Sequence, residues 1–208
     1  MRENIRILQK VVSRRGSSKV LSFSAPHVLK AIQLLHKESF VSRDSFCRAL
    51  HMGEGAVKTL ILHLKEEGLV GSVRSGTYLT KKGQKFTNEF FKMMPTECSV
   101  PKSTITGGKN NYAILLRNFA NEIKSGLEQR DAAILYGATG AVTILFRKNR
   151  FVFPGEEVDC LRSDKKTRQL LLEKLLPHDG DVIIIATSSN LFVSEIAVKN
   201  SALYTMSG

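Results

Sequence analysis

The sequence predicts an α+β fold in two parts: a mostly helical N-terminal part with a helix-turn-helix and a short β-hairpin, and a small C-terminal α+β sandwich. Three observations predict it. Apolar residues recur at helical spacing through residues 25–66, two β-prone runs surround Arg74–Gly76, and strand and helix patterns alternate from residue 112 onward.

Ile5, Leu8, Val11 and Val12 recur at helical spacing and predict a short first helix that packs on the domain or on a second subunit. Three amphipathic helices are predicted after it. Ser24 is expected to cap the first, which has Pro26 in its first turn, and Ser42 is expected to cap the second. The third, GAVKTLILHLKEEG, carries an apolar stripe that consists of Val57, Leu60, Ile61 and Leu64. Because the glycine-containing turn MGEG joins the second helix to the third, this pair is typical of a helix-turn-helix.

A hairpin and a last helix are predicted next. The β-prone runs LVGSV and TYLT are joined through Arg74, Ser75 and Gly76, where glycine permits a positive φ. Thr80 is expected to cap the following helix, TKKGQKFTNEFFKMM. A basic hairpin tip beside the second helix of a helix-turn-helix is suited to contact DNA phosphates, so the hairpin is interpreted as a wing.

Residues 25–93 therefore resemble the winged-helix domains of bacterial and archaeal transcriptional regulators. The resemblance rests on the helix-turn-helix, the junction Leu60–Val70, the glycine-tipped wing and the YLTKKG segment. It implies that the second helix of the pair is the recognition helix. The expected DNA-binding residues are Arg43, Gly55, Ala56, Lys58, Thr59, His63, Arg74, Ser75, Lys81 and Lys82. Acidic Glu54 and an exposed Leu62 weaken direct base reading, which leaves shape reading, a protein-facing helix or a dimer contact open.

The uneven distribution of charge favours a polyanion as the partner of the N-terminal part. Residues 1–95 hold 17 Lys and Arg against 7 Asp and Glu, a net +10, whereas residues 96–208 hold 14 against 12, a net +2. A concentrated positive field attracts phosphate backbones; the alternative is that the charge only keeps the protein in solution. The basic stretch Arg14–Lys19 is expected to be either a DNA-contacting arm or a solvated tail.

The predicted domains are residues 1–94, a linker at 95–111 that is rich in Pro, Gly and small polar residues, and residues 112–208. The last part reads as strand, helix, two strands, helix, strand and helix. This order predicts an α+β sandwich with its helices on one face of the sheet, serving to sense a ligand or to assemble subunits.

The sequence contains no convincing reaction centre, so the protein is not expected to be an enzyme, and no cofactor is expected. TGGK at residues 106–109 has too few glycines for a phosphate loop. A metal at Cys47 and His51, or near His178, is disfavoured against ordinary structural roles. A small-molecule effector site is the sharper hypothesis for Glu128, Arg130 and Asp131, and a solvated helix face is the alternative.

The three cysteines form no CxxC pair, and the longest apolar runs are too short for a bilayer span, so we expect a cytoplasmic protein without a membrane partner.

The whole chain, including EQRDAAILYGATGAVTILF and the following FPG, resembles an uncharacterised archaeal family with an N-terminal winged helix and a small α+β C-terminal domain. The C-terminal part also resembles small inserts of tRNA-dependent amidotransferases and some aspartyl-tRNA synthetases. The resulting expectation is a DNA-binding transcriptional regulator, a homodimer that binds duplex DNA and responds to an effector. The alternative is an RNA-associated protein with a role linked to tRNA or translation.

Overall fold

The computed structural model describes residues 2–13 and 20–208, which form two compact units, Met1–Glu89 and Phe90–Gly208. The described residues form eight helices, a two-stranded antiparallel sheet and a five-stranded antiparallel sheet, which confirms the α+β class. The expected basic arm, Arg14–Lys19, lies outside the described residues. None of the described helices is both long enough and apolar enough to cross a bilayer.

The first unit contains the predicted helices and hairpin. Its elements are α1 (Arg2–Val11), α2 (Ala25–Lys37), α3 (Arg43–Leu50), α4 (Glu54–Glu66), β1 (Val70–Val73), β2 (Gly76–Leu79) and α5 (Lys81–Met93), whose last turn belongs to the second unit. The apolar stripes of α2, α3 and α4 are buried together, because each helix places its i, i+3, i+4 positions on one side.

Side-chain hydrogen bonds cap the starts of two of these helices at the residues that the sequence predicts. The Ser42 hydroxyl accepts from the Ser45 N–H at 3.0 Å and caps α3. The Thr80 hydroxyl accepts from the Gly83 N–H at 3.0 Å and caps α5. Gly83 cannot be replaced without rearrangement, since a Cβ there would lie 1.9 Å from the Leu69 carbonyl oxygen.

The hairpin is anchored to the segment between α2 and α3. Val73 pairs with Gly76, which leaves Arg74 and Ser75 as the two turn residues. Val41 and Thr77 exchange two backbone hydrogen bonds of 2.9 Å and form an antiparallel bridge. This bridge holds the hairpin against the segment that precedes α3.

The second unit is built on the five-stranded sheet. Its elements are β3 (Glu97–Val100), β4 (Asn110–Leu116), α6 (Leu127–Ile134), β5 (Gly140–Arg147), β6 (Arg150–Val152), α7 (Lys165–Leu175), β7 (Asp181–Ser188) and α8 (Leu191–Ser207). The strand order is β3-β4-β7-β5-β6, and all neighbouring strands are antiparallel.

The helices of the second unit cover both faces of the sheet, so the expectation of helices on one face is wrong. Leu171 and Leu175 of α7 pack with Ile183 and Ile185 on one face. Helices α6 and α8 contact the other face. The reason is visible in β7, which is buried at every position: a strand that is apolar on both sides needs a covering layer on both sides.

The segment 95–111, expected to be a linker, contains an ordered strand. Residues Glu97–Val100 pair with β4 and form one edge of the sheet. The pairing explains why β3 belongs to the C-terminal unit although its sequence is short and polar.

Candidate nucleic-acid interface

A groove of about 620 Å³ lies between α4 and the hairpin in the first unit. Four cationic side chains line it: Arg43, Lys58, Lys65 and Arg74. The residues that the structure places in its lining include no acidic side chain. Because the cations come from α3 and α4 on one side and from the hairpin turn on the other, the groove has positive charge on both sides.

On the α4 side, the groove is lined by residues that lie along one face of the helix. Lys58, Leu62 and Lys65 follow one another at i, i+4 and i+7, which places them side by side. The opposite face of the same helix carries the buried Val57, Leu60 and Leu64. Helix α4 therefore has an outward stripe whose centre is apolar and whose ends are cationic.

A carboxylate lies close to one end of the groove. Glu54, the first residue of α4, accepts from Arg43 Nη1 at 3.3 Å and lies 3.1 Å from Lys58 Nζ. The hydrogen bond from Lys58 and the positive charges of Lys58 and Arg43 lower the pKa of Glu54. Two of the four groove cations are thus paired within the protein.

The predicted DNA-binding residues divide into three groups. Arg43, Lys58, Arg74 and Ser75 line the groove. Gly55, Ala56 and Thr59 lie in the first two turns of α4, outside the groove lining, and Thr59 donates its hydroxyl to the Gly55 carbonyl at 3.0 Å. Lys81 and Lys82 begin α5, where the Lys82 ammonium donates to the Glu67 carbonyl at 2.7 Å.

His63 is the exception, because the expectation that it faces outward is wrong. It is 5% exposed, its Nδ1 lies 2.7 Å from the Val11 carbonyl oxygen, and its ring meets Phe23 edge-on at 5.9 Å. Helix α1 contacts α4, and the spacing of α4 alone did not reveal that covering element. His63 is a packing residue.

Sequence reasoning missed Lys65 and the serines of the groove, Ser42 and Ser72. The signal for Lys65 was present, since it lies seven residues after Lys58 and therefore on the same helix face. Ser72 enters the groove because β1 pairs with β2 in an antiparallel register. The sequence predicts the two strands and their turn, but it does not predict this register.

A second groove of about 500 Å³ lies elsewhere on the first unit. Phe40 is 49% exposed and meets Tyr78 edge-on, with ring centroids 5.9 Å apart. The polar residues of its lining are His36, Lys37, Glu38, Ser39, Gln84 and Asn88. Its mixed charge distinguishes it from the cationic groove.

The three candidate effector-binding residues lie on the exposed surface of α6. Arg130 and Asp131 pair with each other at 3.1 Å, with side chains 46% and 65% exposed, and Glu128 is also exposed. Neither of the two grooves is lined by any of them. Their surroundings are those of a solvated helix face.

The second unit instead contains a buried ionic cluster that sequence reasoning missed. The Lys199 side chain of α8 is fully buried, contacts Glu97 of β3, and lies 3.5 Å from Glu195, one helical turn earlier. Tyr112 donates its hydroxyl to the same Glu97 at 3.2 Å, and its ring centroid lies 5.8 Å from Lys199 Nζ. The signal was the pair Glu195 and Lys199 within an otherwise uncharged, apolar helix.

Burial controls the titration of the groups near this sheet. Desolvation and the neighbouring Glu97 raise the pKa of Tyr112. Desolvation likewise raises the pKa of the Cys98 thiol to about 11 and that of Cys160 to about 12. These thiols therefore stay protonated at neutral pH and are poor nucleophiles. In the part of the chain that the structure describes, no group of three or more His, Cys, Asp or Glu is arranged to hold a metal.

Comparison with known proteins finds similarity in two places. Residues 107–206 match the model of a family described as a domain of unknown function, DUF4443. A hypothetical protein from Pyrococcus horikoshii OT3 has a similar solved structure, with a TM-score of 0.71 and 26% sequence identity over 87% of this chain and 91% of that chain. No curated protein matches the chain significantly. Both matches fit an uncharacterised archaeal family.

Proposed function

We propose that the first unit is a winged helix that binds duplex DNA and that the protein acts as a transcriptional regulator. The observation that carries the proposal is the cationic groove between α4 and the hairpin. In this proposal α3 and α4 are the helix-turn-helix, α4 is the recognition helix, and the turn residues Arg74 and Ser75 form the tip of the wing.

The charge of the groove supports this function. Phosphate contacts supply most non-specific affinity for DNA, and Arg and Lys are the side chains that make them. Arg43 is 58% and Lys58 is 56% exposed, so both remain accessible to a phosphate. The four groove cations come from α3, α4 and the hairpin turn, which suits contact with the backbones on both sides of a DNA groove.

Salt-dependent binding tests the proposal. Fluorescence anisotropy of a labelled mixed-sequence duplex of about 30 base pairs is measured at about 50 and 200 mM salt, with folded tRNA as competitor. The two cations that are not paired with Glu54 predict a logarithmic salt slope of about −1.8, and contact by all four predicts about −3.6, so affinity should fall by roughly 10-fold to 100-fold over this range. Absence of duplex binding at the lower salt would contradict the proposal.

Matched substitutions locate the contact. Arg74→Ala and Lys65→Ala should each weaken binding and flatten the slope by about one unit. Lys85→Ala removes the same charge from an exposed position of α5 outside the groove, and should leave the slope unchanged. If tRNA displaces the duplex at equal nucleotide concentration, the RNA-associated alternative replaces this proposal.

In the same proposal the second unit assembles subunits. Support comes from apolar side chains left exposed on and after α6: Leu127 is 52%, Ile134 is 46% and Leu135 is 81% exposed. Sedimentation equilibrium of the wild type and of Leu135→Asp tests this role. A wild-type dimer that dissociates on substitution is expected, and a monomeric wild type would exclude it.

A further inference from the structure

We propose that Leu62, with Val73 opposite it, contacts thymine methyl groups, so that the groove selects duplex DNA with thymine at the contacted positions. The inference rests on the proposed DNA-binding function and names the base chemistry that this groove recognises. Both side chains line the cationic groove, Leu62 from α4 and Val73 from the end of β1.

The two side chains form an exposed apolar centre in a charged surface. Leu62 is 52% and Val73 is 50% exposed. Leu62 lies between Lys58 and Lys65 on the outward stripe of α4, four residues after the first and three before the second. The groove thus has cations around two apolar side chains.

Core packing does not explain the exposure of Leu62. On the same helix Val57, Leu60 and Leu64 are completely buried, and the adjacent Ile61 is 7% exposed, so the apolar contact of α4 with the unit is made without Leu62. A polar side chain at this position would be better solvated. The apolar side chain is therefore explained by an apolar group on the partner.

Duplex DNA offers one such group next to its phosphates. The edges of bases in the major groove are polar except for the C5-methyl group of thymine, which apolar side chains contact. Uracil lacks this methyl group, and the major groove of an RNA helix is too deep and narrow for side chains to read. A cationic rim around an apolar centre consequently fits thymine-containing DNA and does not fit double-stranded RNA.

The test removes only the methyl groups. Duplexes that bind the wild-type protein are selected from a randomised pool, and each thymine of the selected site is then replaced by deoxyuridine. Burial of one methyl group corresponds to about fourfold in affinity, so deoxyuridine at a contacted position should weaken wild-type binding about fourfold. Leu62→Ala combined with Val73→Ala should bind the two duplexes equally.

Leu191→Ala is the matched control, since it makes the same Leu-to-Ala change at an exposed position at the start of α8 in the second unit. It should retain the full effect of deoxyuridine. The inference is overturned if selection yields no thymine preference, if deoxyuridine leaves wild-type affinity unchanged, or if Leu62→Ala combined with Val73→Ala retains the effect. In each of these three outcomes the protein still binds duplex DNA in a salt-dependent way. Failure of the proposed function is distinguishable, because no duplex would then bind.

Discussion

In the proposed DNA complex, the Glu54 carboxylate would compete with DNA phosphates for the same cations. Its carboxylate pairs with Arg43 and Lys58, two of the four cations of the groove. Ion pairs between exposed side chains add little to stability. The main effect of Glu54 is therefore expected on binding, because its negative charge occupies cations that would otherwise contact phosphates.

Glu54→Gln should accordingly bind a duplex several-fold more tightly than the wild type and with a salt slope steeper by about one unit. The reason is that the freed cations would contact phosphates and release additional counterions from the DNA. Anisotropy at two salt concentrations measures both quantities. Asp44→Asn is the control: it removes the same charge from α3, where Asp44 pairs with Arg48 outside the groove. Equal gains for both variants would show that net charge alone is responsible.

Lys199 illustrates a second kind of charged residue, one whose role is stability. Its ammonium is fully buried and is paired with Glu97 and Glu195, whose side chains are 15% and 12% exposed. Removing one member of a buried ion pair leaves the others desolvated and unpaired.

Lys199→Met should lower the free energy of unfolding by roughly 3–5 kcal/mol, as measured by urea denaturation. Combining it with Glu97→Gln should restore part of this loss, because the double variant no longer buries the carboxylate that Lys199 contacts. A loss below about 1 kcal/mol in the single variant would mean that the cluster contributes little.

At the scale of elements, the hairpin depends on one glycine. Gly76 has a φ of 138°, and a Cβ there would lie 2.8 Å from the Val41 carbonyl oxygen. That carbonyl accepts from the Thr77 N–H and anchors the hairpin to the α2–α3 connection. A side chain at position 76 therefore strains the turn and displaces its anchor.

Gly76→Ala should destabilise the protein by about 1–3 kcal/mol, the usual cost of a strained backbone conformation. Gly55→Ala in α4 is the matched control, since a Cβ there meets nothing within 4 Å, and the higher helix propensity of alanine should add up to about 1 kcal/mol. Thermal unfolding of both variants measures the two shifts. Shifts in the same direction would contradict the steric argument.

The elements themselves were largely predictable, because their signals are local. The caps Ser42 and Thr80 and the apolar stripe of α4 each depend on residues within a few positions of one another. The layers of the C-terminal unit were not predictable, because the strand order and the placement of α7 opposite α8 depend on pairing between residues that are far apart in the sequence. The continuous apolar run of β7 was the one sequence signal that a second layer was needed.

At the scale of the whole molecule, net charge distinguishes the N-terminal part from the C-terminal part. The net charge of residues 1–95 is +10, whereas that of residues 96–208 is +2. If DNA binding resides in the first unit, cations of the second unit should contribute little to affinity, even where they are fully exposed.

The double substitution Lys165→Ala and Lys166→Ala tests this division. Both residues are exposed at the start of α7 in the second unit. The variant should keep the duplex affinity and salt slope of the wild type within about 0.5 units, in contrast to the flattening by about one unit expected for Arg74→Ala. A flattened slope in the double variant would show that the second unit also contacts DNA.

The sequence by itself determined the α+β class, the positions of most elements and the concentration of positive charge in the N-terminal part, because composition and short-range periodicity carry this information. Only the tertiary structure decided which side chains share a surface. It brought Lys65 and Arg74 to one groove, buried His63 beneath α1, and enclosed Lys199 with Glu97. These outcomes depend on which element covers another, and the residue pattern of one element carries no information about which element packs against it.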